Sequence, residues 1–238
     1  MFDSLKRQIK NARKIVFVTG AGISQESGIP TFRGKEGLWR KYDPMQLATI
    51  DAFYENPQLV WEWYEERRQN ILAASPNDGH FAIASLAKYK EVMVLTQNID
   101  GLHQRAGSKT VLELHGSIIR IKCTECDFQD NITTGFDSLP PKCRCGKILR
   151  PDVVWFGEGL PQDVWSEAIS HAQSCDVMVI AGTSLVVSPA NTLPLYAKQN
   201  GAILIEVNPE KTVMSSDMDL SVRATSATAL PQLVSLFE

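Results

Sequence analysis

Five short runs of mostly β-branched and aliphatic residues constrain this chain more than any other feature: Ile15 to Thr19, Val92 to Thr96, Val111 to Leu114, Val177 to Ala181 and Ile203 to Val207. Each reads as a strand buried on both faces, and segments with helical spacing lie between them. Strands alternating with helices require right-handed crossovers, which give a mostly parallel sheet covered on both sides. The expected fold class is therefore α/β, with a doubly wound parallel sheet. Val153 to Phe156 is a further expected strand, and Leu220 to Thr225 a last edge strand. Asn56 as N-cap, Pro57 at the first helical position, and Leu59, Val60, Trp63, Tyr64 and Ile71 at helical intervals predict a helix from Pro57 to about Ala73. The segments 34–74 and 116–150 interrupt the alternation and are expected to form a smaller lobe, one part helical and the other bearing cysteines. Residues 1–33, 75–115 and 151–238 would then make the large lobe of one domain spanning 1–238.

Each of the five runs is followed by a polar or glycine-containing turn: Gly20-Ala21-Gly22, Gln97-Asn98-Ile99-Asp100, His115-Gly116, Gly182-Thr183-Ser184 and Asn208-Pro209-Glu210. Turns are polar for conformational reasons alone. In an open parallel sheet, however, the carboxyl ends of the strands share one edge, and turns there converge on a ligand crevice. Gly20 and Gly22 directly after a strand let backbone N–H groups approach a diphosphate. The usual dinucleotide fingerprint would place a third glycine where Gln25 stands and an acidic residue at the end of the following strand. Both are missing, which disfavours an ordinary dehydrogenase and leaves a modified dinucleotide site open.

Cys123-x-x-Cys126 followed by Cys143-x-Cys145 supplies four thiolates in two closely spaced pairs, the pattern of a tetrahedral zinc site. Four thiolates leave no open coordination position, so one structural zinc ion is expected, with paired disulfides the weaker alternative. Cys175 reads as a small buried apolar residue. A net charge of −3 with scattered basic residues carries no footprint for nucleic acid. The longest apolar run in the first twenty residues, Ile15 to Val18, is too short for a signal peptide or membrane span, so a cytoplasmic protein without a membrane partner is expected.

Of the histidines, His115 alone sits at an expected strand end beside a glycine. A neutral imidazole there could act as a general base, although judged alone it is as readily a structural residue. Taken together, GAGIS (20–24), SGIPTFR (27–33), TQNIDGLH (96–103), His115-Gly116, the cysteine quartet, Phe156-Gly157-Glu158, Gly182-Thr183-Ser184 and Asn208-Pro209 closely resemble the sirtuin family of NAD-dependent protein deacylases, in family order over about Ile15 to Pro231.

The resemblance implies a Rossmann-like large lobe, a smaller lobe of zinc and helical modules, NAD consumed as co-substrate, and acyl-lysine proteins or peptides as substrates of a chain expected to be monomeric. It implies that Gly20, Ala21, Gly22 and Ile23 face the diphosphate, with Phe32, Arg33 and Trp39 over the cofactor. Gln97, Asn98, Ile99 and Asp100 would serve the nicotinamide and its ribose. Gly182, Thr183, Ser184, Asn208, Pro209 and Glu210 would take the adenosine half, with Ser226 against the adenine. His115 would be the general base, aided by Asn98, Asp100 and Arg33, while Val154, Phe156, Gly157 and Glu158 would hold the substrate lysine and its backbone.

Tyr64 and Arg67 lie three apart on the expected helix and share a face. Spacing alone favours a packed Tyr64 and a solvated Arg67. The run Trp61 to Arg68 resembles the same helix in the family's desuccinylase group, which reverses that reading and implies a carboxylate-bearing acyl group, with acetyl accepted too. The competing functions are mono-ADP-ribosyl transfer from the same NAD site and a non-enzymatic NAD-sensing module.

Overall fold

The computed structural model describes residues 1–32 and 37–237. Among them nine strands form two sheets. The larger is built from β1 (Lys14–Thr19), β2 (Glu91–Thr96), β3 (Val111–Glu113), β7 (Val177–Ala181), β8 (Ile203–Val207) and β9 (Leu220–Val222), in the order β3-β2-β1-β7-β8-β9. Every pairing in it is parallel. The smaller sheet is antiparallel, β5 (Gln129–Asn131), β4 (Gly116–Cys123) and β6 (Leu149–Val153). The five expected strands are all present, and the expected edge strand is β9.

Alternation along the strands explains how both faces are covered. Ile15, Phe17, Val92, Val94, Val177, Val179, Ile205 and Val207 enter one apolar core with residues of the helices Asp78–Leu86 and Ser226–Val234. Val16, Val18, Met93, Leu95, Met178, Ile180 and Leu204 enter another, against the helices Gln162–Ser174 and Leu193–Gln199. Each such aliphatic side chain contributes about 1.5–3 kcal/mol on burial. A third core joins the helix Pro57–Ala73, through Val60, Trp61, Trp63, Tyr64 and Ile71, to Ile118, Ile121, Leu149 and Val153 of the smaller sheet and to Cys123 and Cys143. That helix begins as expected, with the Asn56 side chain accepting from Leu59 N–H at 3.1 Å. It is pinned to the sheet where Trp61 Nε1 donates to the Leu149 carbonyl at 2.7 Å.

The expected strand from Val153 to Phe156 is displaced. The strand there is β6, ending at Val153, and Phe156 makes only an isolated bridge to Thr49. Arg150, Pro151 and Asp152 concealed β6, because charged residues and proline argue against a strand interior. They fit because both charges are paired: Arg150 with Glu158 at 2.6 Å, and Asp152 with Arg120 and Lys122. β4 was hidden for a related reason, its polar Ser117, Arg120 and Lys122 obscuring the pattern.

The strand order reverses between β1 and β7, and the turns beyond these two strands lie against each other. Gly22 N–H donates to the Gly182 carbonyl at 2.8 Å. A Cβ on Gly182 would lie 2.3 Å from Ile23 N, and one on Gly22 would lie 2.7 Å from Gly182 O. Gly182 also has φ +63°. Gly182→Ala is expected to cost about 2–4 kcal/mol, lowering Tm by about 5–15 °C in thermal unfolding. Gly107→Ala, at φ +98° with nothing within 4 Å, should cost about 1 kcal/mol.

Candidate active site and zinc centre

A cavity of about 940 Å³ opens at the carboxyl edge of the larger sheet, at the upper end of the range of about 300–1,000 Å³ typical of ligand sites. All five expected turns contribute to it, through Gly20 to Gly22, Gln97 to Ile99, His115, Gly182 to Ser184 and Asn208 to Glu210. Phe32, Trp39, Tyr64, Arg67, Val154, Phe156, Gly157, Glu158 and Ser226 also line it. Two expected site residues do not. Ile23 is fully buried in the core, and Asp100 is buried behind the wall. Arg33 lies outside the described residues. Gln25, Glu26, Thr31, Trp155 and Pro189 line the cavity without having been singled out in the sequence. The glycines after β1, which line the cavity, also join the two turns. Gly20 and Gly22 N–H groups bond the Ala181 and Gly182 carbonyls, leaving Ala21 N–H as the donor open to a ligand.

His115 is placed by backbone on both sides. Its carbonyl accepts from Val154 N–H at 3.0 Å, and Gly116 follows with φ +76° and its Cα pressed against the Asp152 carbonyl. His115 Nδ1 lies 2.9 Å from the Gln97 carbonyl. A carbonyl only accepts, so Nδ1 carries the proton and Nε2 offers a lone pair. Burial lowers the imidazole pKa below 6.5, and the Gln97 carbonyl offsets part of that shift.

Asn98 is oriented from behind. Its Nδ2 donates to the Gly20 carbonyl and to Ser24 Oγ, both at 3.2 Å, so Oδ1 is the group left to face the cavity. Ser24 Oγ in turn donates to Asp100 Oδ2 at 2.7 Å. His80 Nδ1 accepts from Asn77 N–H, so its Nε2 carries the proton towards Ser24. Burial raises the Asp100 carboxyl, countered by bonds from Leu102 N–H and Ser24. Burial pushes His80 down to about 4 and His103 down to about 3, keeping both neutral.

On the far side, Glu206 has no exposed surface. It accepts from the hydroxyls of Thr212, Ser215 and Ser221 and pairs with Arg223. Burial alone would raise this carboxyl, but those four bonds outweigh it and hold it below the usual range. Arg223 also donates to the carbonyls of Asn208 and Glu210, fixing their turn. Glu206 is the penultimate residue of β8, a strand otherwise made of aliphatic residues, and that was the available sequence signal.

The end of the cavity lined by Phe32, Trp39, Tyr64 and Arg67 is aromatic. Phe32 packs on Trp39 with ring centroids 5.1 Å apart, and Trp39 stacks on Trp63 at 5.8 Å. The Arg67 guanidinium lies 4.3 Å from the Trp63 ring centroid and 4.9 Å from that of Phe32. Among the described residues it makes no hydrogen bond or close ion pair; burial lowers its pKa, and the nearby Tyr64 hydroxyl and Asp100 carboxylate offset part of that shift. Arg68, its neighbour in sequence, points away and is held by Glu65 and by the carbonyls of Ile132 and Thr134.

The four cysteine sulfurs lie within 4.8 Å of one another. Cys123 to Cys145 is 3.6 Å, and Cys126 is 3.7 Å from both Cys143 and Cys145. Tetrahedral coordination with Zn–S of about 2.3 Å separates sulfurs by about 3.8 Å, so the cluster fits one structural zinc ion.

A doubly wound sheet with a glycine turn at its reversal point, a cavity that fits a dinucleotide and an adjoining four-cysteine module defines a dinucleotide-dependent α/β enzyme with a zinc-stabilised module. The Sir2 family model matches residues 20–189. NAD-dependent protein deacylase 1 of Caldanaerobacter subterraneus subsp. tengcongensis is 52% identical over 217 residues, 90% of each chain. The NAD-dependent protein deacylase of Aquifex aeolicus is 51% identical, over 92% of this chain and 93% of its own. A Sir2 homologue solved as an NAD complex superposes with TM-score 0.93 at 44% identity, covering 99% of this chain and 93% of that one. A Sir2–p53 peptide–NAD+ structure does so with TM-score 0.90 at 35% identity, covering 99% and 98%. The chain belongs to the Sir2 family.

Zinc should copurify at one ion per chain. Its removal by chelation, or Cys126→Ala, is expected to lower Tm by at least about 10 °C, checked by metal analysis alongside thermal unfolding.

Proposed function

We propose that this chain removes acyl groups from protein lysines with consumption of NAD, acting on succinyl and malonyl as well as acetyl groups. The observation that carries the reading is His115, neutral and with Nε2 free, in one cavity with the glycine turn and the donors of Tyr64 and Arg67. When bound, NAD would supply an electrophilic ribose carbon, attacked by the acyl oxygen of the lysine amide as nicotinamide leaves, so that with one water consumed the products are nicotinamide, O-acyl-ADP-ribose and free lysine. His115 Nε2 takes the proton from a ribose hydroxyl. Asn98 Oδ1 orients the nicotinamide ribose, and Asp100 acts at one remove, by holding Ser24 and through it the Asn98 amide. Ala21 N–H meets the diphosphate. The Gly182 to Ser184 and Asn208 to Glu210 turns, with Ser226, take the adenosine half, and Phe32 and Trp39 lie over the cofactor. The substrate lysine passes Phe156, with its backbone along Val154 to Glu158, in keeping with the p53 peptide of the Sir2 structure above.

Tyr64 and Arg67 read the acyl group. Both present donors at an aromatic wall, and a desolvated guanidinium that makes no hydrogen bond or close ion pair among the described residues favours a carboxylate ligand. The large lobe would comprise 1–33, 75–115 and 151–238, with the small lobe contributed by 34–74 and 116–150. A cytoplasmic site of action is part of the same reading. Among the described residues no helix is long and apolar enough to cross a membrane.

Three outcomes test this. Because the base must be neutral, kcat/KM should fall only as pH drops through a pKa below 6.5. His115→Ala should abolish turnover while NAD still binds; loss of binding as well would remove the general-base role. With matched peptides, Arg67→Met should lower succinyl-lysine kcat/KM by about 100-fold while acetyl turnover persists, measured by nicotinamide release. Equal losses on both substrates would remove the acyl-reading role.

A further inference from the structure

The reader of the acyl group contains a third residue. Tyr64 is buried, and its hydroxyl oxygen accepts from Trp155 Nε1 at 2.9 Å. Trp155 cannot turn to release it. Its main chain is fixed by the backbone N–H, which donates to Glu158 Oε2 at 2.9 Å. The Arg150 guanidinium lies 3.6 Å from its ring centroid and is itself paired with Glu158 through two hydrogen bonds of 2.6 and 2.8 Å. Phe53 packs on the indole at 5.1 Å, and Trp155 is 2% exposed.

An indole N–H only donates. It therefore occupies the acceptor side of the Tyr64 hydroxyl, whose proton has no acceptor among the described residues. A guanidinium also only donates. Among the described residues this end of the cavity thus holds two neighbouring donors, the Arg67 guanidinium lying 5.6 Å from the Tyr64 ring centroid, and neither has a hydrogen-bond acceptor.

We propose that Trp155 is a positioning residue for acyl selectivity: its indole N–H fixes the Tyr64 hydroxyl as a donor beside Arg67, so that the site takes an acyl carboxylate and rejects the isosteric carboxamide. The inference rests on the reading of Tyr64 and Arg67 given above. A carboxylate offers two acceptor oxygens to the two donors. A carboxamide offers one, and turns an N–H group against a donor that cannot reverse, leaving buried donors unpaired. Without the indole N–H, the Tyr64 hydroxyl could rotate and accept from that amide.

The test is kcat/KM on one peptide carrying acetyl-, succinyl- or succinamoyl-lysine, the last with a carboxamide in place of the carboxylate. The wild type should prefer succinyl over succinamoyl by at least about tenfold. Trp155→Phe, which keeps the ring and removes the donor, should lower the succinyl-to-acetyl ratio by about tenfold, mainly through KM, and relax the rejection of the carboxamide. In a Tyr64→Phe background the same substitution should leave both ratios where Tyr64→Phe alone puts them. Equal losses on all three peptides, or an undiminished effect in the Tyr64→Phe background, would overturn the proposal. Should Trp155→Phe fail to fold, the wild type decides, because equal turnover of succinyl and succinamoyl peptides is incompatible with a donor-only site. Failure of the underlying reading is distinguishable: there, Arg67→Met leaves succinyl turnover intact, whereas failure of this inference alone leaves Arg67→Met damaging and Trp155→Phe without effect on the ratios.

Discussion

Everything at the site depends on the contact between the turns that leave β1 and β7. A doubly wound sheet opens a crevice where its strand order reverses, and here the two backbones close that crevice at its base. The Gly22 to Gly182 hydrogen bond, and the space that no Cβ could share, set the distance between the turn after β1 and the turn after β7. The glycines serve protein packing first. Only with the two turns locked does Ala21 N–H face the cavity and Gly20 O become available to orient Asn98.

Polar groups behind the wall extend that order outward. Ser24, Asp100, His80 and Asn77 form a directional chain in which each donor is assigned by what its neighbour can accept. Such buried networks raise the cost of any alternative arrangement, because each unpaired member would cost about 1–3 kcal/mol. The Glu206 and Arg223 pair does the same for the Asn208 to Glu210 turn. The cavity is thus lined by side chains whose orientation is decided one layer further in.

The larger sheet was legible in the sequence because burial on both faces leaves unbroken aliphatic runs, and the turns that line the cavity follow those runs by topology. The smaller sheet was not, since β4 and β6 carry charges whose partners, such as Asp152 for Arg120, lie on a different strand. Local pattern cannot report a pairing across some thirty residues. The zinc ligands were legible from spacing alone. Ile23 and Asp100 were expected to touch the cofactor by their place in a motif, yet the fold turns one into the core and the other behind Ser24. Spacing also could not separate Arg67 from Arg68. One faces aromatic rings in the cavity and the other is bound to carbonyls beyond β5, a difference decided by a helix's rotation about its axis.

The third core has a consequence for how substrate choice can change. The helix that carries Tyr64 and Arg67 shares its apolar packing with Cys123 and Cys143 and is bolted to β6 by Trp61, while Trp155 follows β6 directly. The surface proposed to discriminate between acyl groups therefore borrows its rigidity from a zinc module outside the cavity. Substitutions under the zinc module, remote from any ligand, are a second route by which the acyl preference of such a chain can drift.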